Sequence, residues 1–152
     1  VWSDDITLRH LRRCAKIFEA FRAYRRSLMA ISGRRGWPLL RHPVLHYPND
    51  PVLVADVART DGGTGRIRQF LLGSDYMIIP VLQAGMEHVR GYLPRGRWLR
   101  LWHTGEGNAT FELTHGRWLS IHAPIGRPAV FARAEAASLA SIKLALRKAG
   151  VL

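Results

Sequence analysis

The chain contains little cysteine and no long apolar run, and each shortage excludes a class of protein. Cys14 is the only cysteine among 152 residues, so an internal disulfide and a cysteine-based zinc site are excluded, and a reducing, cytoplasmic setting is favoured. No apolar run approaches the roughly 18 residues of a membrane span, and the first residues lack the pattern of a secretory signal. We therefore expect no membrane partner. Apolar residues still make up 47% of the chain, enough for a folded core.

Acidic residues are also few. The chain has 11 of them against 23 lysines and arginines, which gives a net charge of +12. Such a charge is typical of nucleic-acid binders, but those proteins usually concentrate it on one face. Here arginine recurs along the whole chain, in nothing longer than pairs such as Arg12-Arg13 and Arg34-Arg35. We expect no specific nucleic-acid partner, and keep a basic polyanion-binding module as an alternative function.

The amino-terminal part predicts a single long helix over about residues 5–32. Asp4 or Asp5 can cap its start, and Gly33 and Gly36 can end it. One face forms a broad apolar stripe at steps of three and four, which indicates a helix that packs against a large neighbour. The stripe consists of Leu11, Cys14, Phe18, Phe21, Leu28 and Ile31.

The next segment predicts an extended stretch, a short helix and a linker. Leu39–Tyr47 has an extended pattern, although Pro43 cannot donate to a sheet ladder. Residues 50–58 predict a short helix with Asn49 or Asp50 as its cap and Pro51 in its first turn. Residues 61–68 are rich in glycine and predict a linker.

After the linker, short strand patterns alternate with turn signals, and residues 135–152 predict a carboxyl-terminal helix. This spacing indicates an antiparallel β-sandwich over residues 69–134. The predicted strands are Phe70–Leu72, Tyr76–Leu82, His88–Leu93, Arg97–Trp102, Ala109–Leu113, Arg117–Ile121 and Ala129–Ala132.

Five sequence motifs follow one another along the chain. They are Gly36-Trp37-Pro38-Leu39-Leu40-Arg41-His42-Pro43 with Tyr47-Pro48-Asn49-Asp50-Pro51, Gln69-Phe70-Leu71-Leu72-Gly73 through Pro80-Val81, Tyr92-Leu93-Pro94-Arg95-Gly96-Arg97-Trp98, Trp102-His103-Thr104-Gly105, and Ala123-Pro124 through Arg133. In this order and at these separations they resemble the carboxyl-terminal part of family 31 glycoside hydrolases, the α-glucosidase and α-xylosidase family. The resemblance covers about residues 8–134. His46-Tyr47 and the Tyr92–Trp98 motif resemble the sulfoquinovosidase branch.

The resemblance implies an α+β chain that is part of a longer enzyme. Residues 1–60 would be the last helix–strand unit of a catalytic (β/α)8 barrel, followed by the linker, the β-sandwich and the carboxyl-terminal helix. The implied reaction is hydrolysis of α-glycosides with retention, which needs two carboxyl groups about 5–5.5 Å apart. In the family those two aspartates lie upstream of the matched region, so we expect no catalytic residue in this chain. The implied partners are an α-glycoside and a missing amino-terminal barrel, or self-association in its place. No cofactor is implied.

The resemblance also implies a position for His46. It would follow the eighth barrel strand, and active sites of such barrels gather at the carboxyl ends of the strands. We therefore name His46 as the candidate substrate-binding residue, with packing as the alternative. Spacing on an extended segment would place His42 and His46 on one face, but no third ligand is signalled and we predict no metal site.

The remaining acids and tryptophans have structural interpretations. The acidic residues Asp4, Asp5, Asp50, Asp75, Glu106 and Glu112 lie in cap, turn or hairpin patterns, and no two form a recognisable catalytic pair. Trp98, Trp102 and Trp118 could stack on sugars, but tryptophans at strand spacing are more often core residues. Sugar stacking would make the chain a non-catalytic carbohydrate-binding sheet domain, the second alternative function.

Overall fold

The computed structural model describes residues 4–58, 67–102 and 110–152. The chain divides into two compact units, one made of Val1–Leu39 with Ala137–Leu152 and the other of Leu40–Ala136. Most of the predicted linker, the His103–Gly105 motif and Glu106 lie outside the described residues. Residues 40–58, which the sequence assigned to the barrel, belong to the same compact unit as the sheets. The division into a barrel part over residues 1–60 and a sandwich over residues 69–134 stays a prediction.

The first unit is helical, and the prediction of one helix over residues 5–32 is wrong. The structure has α1 at Asp5–Ala20 and α2 at Arg22–Arg35, separated by Phe21 with φ −90° and ψ 4°. Asp4 caps α1, since its carboxylate accepts from the Thr7 amide at 2.7 Å. Gly33 lies within α2, and only Gly36, at φ 70°, ends it.

The predicted apolar stripe is only half buried. Phe21 and Leu28 are buried, whereas Phe18 is 64% and Leu11 45% exposed. No residue of α1 is buried. The predicted carboxyl-terminal helix, α4, begins later than expected, at Leu139, and runs to Lys148 with Ile142 and Leu146 buried.

The second unit contains the predicted strands. A six-stranded antiparallel sheet has the order β1-β2-β3-β8-β5-β6, and β4 pairs with β7 in a second sheet. Each of the seven predicted strands is found among the described residues, with ends shifted by at most three residues. The strands are β1 Leu40–Arg41, β2 Phe70–Leu72, β3 Tyr76–Ile79, β4 His88–Leu93, β5 Gly96–Arg100, β6 Thr110–Leu113, β7 Arg117–His122 and β8 Ala129–Arg133.

The prediction that Leu39–Tyr47 is extended is wrong beyond Arg41. Only β1 is a strand, and it pairs with β2 in antiparallel register, Leu40 opposite Leu72. Pro43–Leu45 then form a 3₁₀ turn, because proline suits a first helical position and not a ladder. The predicted short helix is confirmed as α3, Pro51–Val57, with Asp50 as its cap.

Apolar side chains from both sheets form one core. Leu71, Met77 and Phe131 come from the larger sheet, and Val89 and Ile121 come from the smaller one. Fully burying such a side chain stabilises the fold by about 1.5–3 kcal/mol. Mixed helices and antiparallel sheets of this kind are consistent with the α+β class and the predicted sandwich. In the described part of the chain, no helix has the length and apolar character needed to cross a membrane.

Candidate functional site

His46 lies directly after the 3₁₀ turn, and Arg41 holds its ring. Arg41 is 5% exposed, and its Nη1 is 3.0 Å from His46 Nε2. Because a guanidinium can only donate, Nε2 must accept, and the imidazole proton is then on Nδ1. Burial and the charge of Arg41 lower the pKa of His46, with a smaller opposing effect from Asp75. His46 is therefore a neutral imidazole at pH 7.

Tyr47 extends this polar cluster. Burial raises the pKa of its phenol, while Arg133 lowers it and Glu135 and Asp75 raise it. Its ring lies 6.4 Å from the Trp98 ring, between centroids. The Arg133 amide donates to the Asp75 carbonyl at 2.8 Å, so the end of β8 lies beside the turn before β3. We call Arg41, His46, Tyr47, Asp75 and Arg133 the His46 cluster. It offers a neutral imidazole, a protonated phenol and two guanidinium groups, which suit hydroxyl or anionic groups.

His42 does not share a face with His46 as predicted. It caps the 3₁₀ turn, where Nδ1 accepts from the Val44 amide at 3.2 Å, and its Nε2 is 3.5 Å from Asp56 Oδ2. The turn at Pro43 breaks the two-residue periodicity on which the prediction rested. Among the described residues, no group of three or more histidines, cysteines or acids is arranged to hold a metal ion.

Several of the described acidic residues form structural hydrogen bonds or ion pairs. Asp50 accepts from the Val52 and Leu53 amides, Asp56 accepts from the Ile67 amide, and Asp75 accepts from the Ser74 hydroxyl. Glu112 pairs with Arg97, and Glu135 pairs with Arg133. These contacts are structural, and they comprise a helix cap, a turn bond, a bond between α3 and the start of the sheet segment, and exposed ion pairs.

Two of the three candidate tryptophans belong to the interior. Trp98 is fully buried and donates from Nε1 to the Pro94 carbonyl, and Trp102 is 7% exposed and donates to the Pro128 carbonyl, both at 2.9 Å. Trp118 is half-buried, with its ring centroid 5.4 Å from that of Tyr92 and 4.4 Å from the Arg90 guanidinium carbon. The rings of Trp98 and Trp102 are therefore not accessible for stacking on a sugar.

A contact that sequence reasoning missed links α3 to the smaller sheet. The Tyr92 hydroxyl donates to the Asp50 carboxylate, with Oδ2 at 2.9 Å. Burial and this hydrogen bond raise the pKa of Tyr92. A side chain at Gly116 would overlap the Tyr92 hydroxyl, so this close approach requires glycine. The Asn-Asp-Pro signal indicated the cap, but nothing in the sequence related it to a tyrosine 42 positions away.

The family model for the glycosyl hydrolase family 31 C-terminal domain matches residues 36–137. The chain belongs to glycoside hydrolase family 31. The match to the family model begins at Gly36, the residue that ends α2.

Curated relatives include two enzymes named sulfoquinovosidase. That of Escherichia coli K12 is 33% identical over 144 residues, covering 92% of this chain and 19% of the relative. The sulfoquinovosidase of Agrobacterium fabrum C58 is 34% identical over 135 residues, which cover 87% of this chain and 18% of the relative. An α-glucosidase of Schizosaccharomyces pombe is 29% identical over 114 residues, covering 75% and 11%. The chain thus spans about one fifth of the sulfoquinovosidases it matches.

Solved structures show the same fold. A family 31 α-xylosidase from a soil metagenome, complexed with xylose, has a TM-score of 0.77 at 24% identity, covering 93% of this chain and 19% of that one. A family 31 sulfoquinovosidase from E. rectale, in complex with an aza-sugar inhibitor, has a TM-score of 0.78 at 23% identity, covering 97% and 20%.

Proposed function

We propose that the chain is the carboxyl-terminal part of a retaining α-glycosidase and is inactive in isolation. The family match over residues 36–137, in a chain that spans 19% of the E. coli relative, is the observation that supports it. The engagement of the described acids in caps, turns and ion pairs agrees with a chain whose catalytic carboxylates lie elsewhere. The reaction needs no cofactor in this proposal, and its setting is cytoplasmic.

We further propose that the complete enzyme acts on sulfoquinovosides. The two relatives with that name match 87–92% of this chain at 33–34% identity. In this proposal His46 contacts the sugar as a neutral imidazole that buried Arg41 orients. The guanidinium groups of Arg41 and Arg133 give the His46 cluster a positive field suited to an anionic sugar.

The coding DNA upstream of this chain tests the first proposal. An in-frame barrel with the family's aspartate motifs would support it, and a stop codon directly upstream would contradict an intact enzyme. The isolated chain should release no aryl group from α-glucosides, α-xylosides or sulfoquinovosides. Turnover that persists through purification and is lost when an aspartate of this chain is changed would overturn the proposal.

A chimera tests the substrate and the role of His46. This chain would replace the matching segment of the E. coli sulfoquinovosidase, and activity on aryl sulfoquinovosides and α-glucosides would be compared. We expect preference for the sulfonated substrate, and a rise in KM of about tenfold or more for His46→Ala. His115→Ala, at an exposed turn, is the control. An unchanged KM for His46→Ala would leave packing as the role of His46.

A further inference from the structure

Two histidines that are not part of the His46 cluster lie opposite each other on the two strands of the smaller sheet. His88 of β4 lies directly opposite His122 of β7, and their ring centroids are 5.2 Å apart at an interplanar angle of 59°. His88 is exposed and His122 is half-buried. Neither ring takes part in the proposed catalytic function.

The register brings these side chains close. Glu87 and Ala123, the neighbouring opposed pair, share a ladder hydrogen bond in which the Ala123 amide donates to the Glu87 carbonyl at 2.7 Å. The His88–His122 pair is therefore a non-hydrogen-bonded pair, in which side chains come closest. The Arg100 guanidinium donates to the outward-facing His122 carbonyl, which holds that end of β7 in place.

The separation of the two rings suits a shared metal ion. Zinc binds imidazole nitrogen at about 2.0–2.1 Å, and two imidazoles bound to one ion at a tetrahedral angle have ring centroids about 5 Å apart. The rings of His88 and His122 already have this separation. Arg90, the next residue on this face of β4, stacks over Trp118, so its charge is directed toward the Tyr92 end of the sheet. Water would complete the coordination of an ion at this exposed position.

We propose that His88 and His122 form a two-histidine site for a borderline transition-metal ion such as Zn²⁺, Ni²⁺ or Cu²⁺. The ion links β4 to β7, two strands that are distant in sequence and form a two-stranded sheet. An ion that binds both strands in the folded chain and not in the unfolded chain stabilises the folded state.

Zinc titration by calorimetry at pH 7.5 tests the site. All samples carry Cys14→Ser, because Cys14 Sγ lies 3.5 Å from His10 Nε2 and could itself bind zinc. We expect one ion to bind, and His88→Ala and His122→Ala each to weaken binding about tenfold or more, since each removes one of two protein ligands. His115→Ala, at an exposed position outside the pair, is the matched control and should change nothing. Binding that is unchanged in both variants, or absent at millimolar zinc, would overturn the proposal.

Histidine ring NMR and thermal unfolding provide readouts independent of the heat of binding. Zinc should shift the ring resonances of His88 and His122 together, and lowering the pH should release it, because imidazole must be neutral to bind a metal. The midpoint of thermal unfolding should rise with Zn²⁺ and not with Mg²⁺, which prefers oxygen ligands. A shift of only one ring, or an equal effect of Mg²⁺, would contradict a shared transition-metal site.

Discussion

At the scale of single residues, we predict that the hydrogen bond between Tyr92 and Asp50 stabilises the attachment of α3 to the smaller sheet. Tyr92→Phe removes a hydrogen bond to a carboxylate, and we expect it to lower the free energy of unfolding by about 1.5–3 kcal/mol. Urea denaturation of the single variants and of the Asp50→Ala, Tyr92→Phe double variant measures the coupling. When Asp50 is already alanine, Tyr92→Phe should lower the free energy of unfolding by much less than it does in the wild type. Additive effects would show that the two side chains do not act together.

The lowered pKa of His46 makes a prediction about stability and pH. The unfolded chain has a histidine with the ordinary pKa of 6.5, so it takes up a proton before the folded chain does as the pH falls. Stability is therefore lost from about pH 6.5 downward, until the lower folded pKa is reached. His46→Gln, which cannot be protonated, should lose less stability than the wild type between pH 7.5 and pH 5. Urea unfolding at both pH values measures the loss for each protein. An equal loss in the wild type and in His46→Gln would contradict this prediction.

At the scale of elements, burial separates α1 from the sheets. No residue of α1 is buried, and Phe18 is 64% exposed, whereas β3 and β8 consist mostly of buried residues. We expect amide hydrogen exchange to be fastest in α1 and slowest in β3 and β8, because few packed contacts oppose local opening of α1. Helix α4, with Ile142 and Leu146 buried, is the internal comparison. Equal, strong protection of α1 and β8 in a monomer would contradict this prediction.

Two elements also show how a local pattern can mislead. The apolar spacing of residues 5–32 is continuous, yet Phe21 divides this segment into two helices. Leu39–Tyr47 was predicted to be extended, but Pro43 cannot donate to a ladder and opens a turn. His46 follows β1 at a distance of five residues, and it is positioned by this turn and by its bond to Arg41.

At the scale of the whole molecule, the net charge of +12 predicts weak, nonspecific attraction to polyanions. Exposed arginines of the sheet unit lie on several strands and turns and include Arg90, Arg95, Arg117 and Arg127. Their field is screened within about 8 Å at physiological salt. We expect labelled duplex and single-stranded DNA to bind at low salt and to dissociate by about 150 mM salt. Submicromolar affinity at the higher salt, or a sequence preference, would instead support the polyanion-binding alternative.

The sequence by itself was sufficient for the family and for the seven strands of the sandwich, and it narrowed each of two helix caps to a pair of neighbouring residues, of which the structure shows Asp4 and Asp50. These features depend on local signals: alternating side chains, turn residues, and short polar groups beside free amides. The tertiary structure alone decided which distant residues meet. Tyr92 reaches Asp50 across 42 positions, and His88 faces His122 only because β4 pairs with β7 in one register. A one-residue slip of that register would turn every side chain of the strand to the other face, and no local pattern specifies which partner strand is chosen.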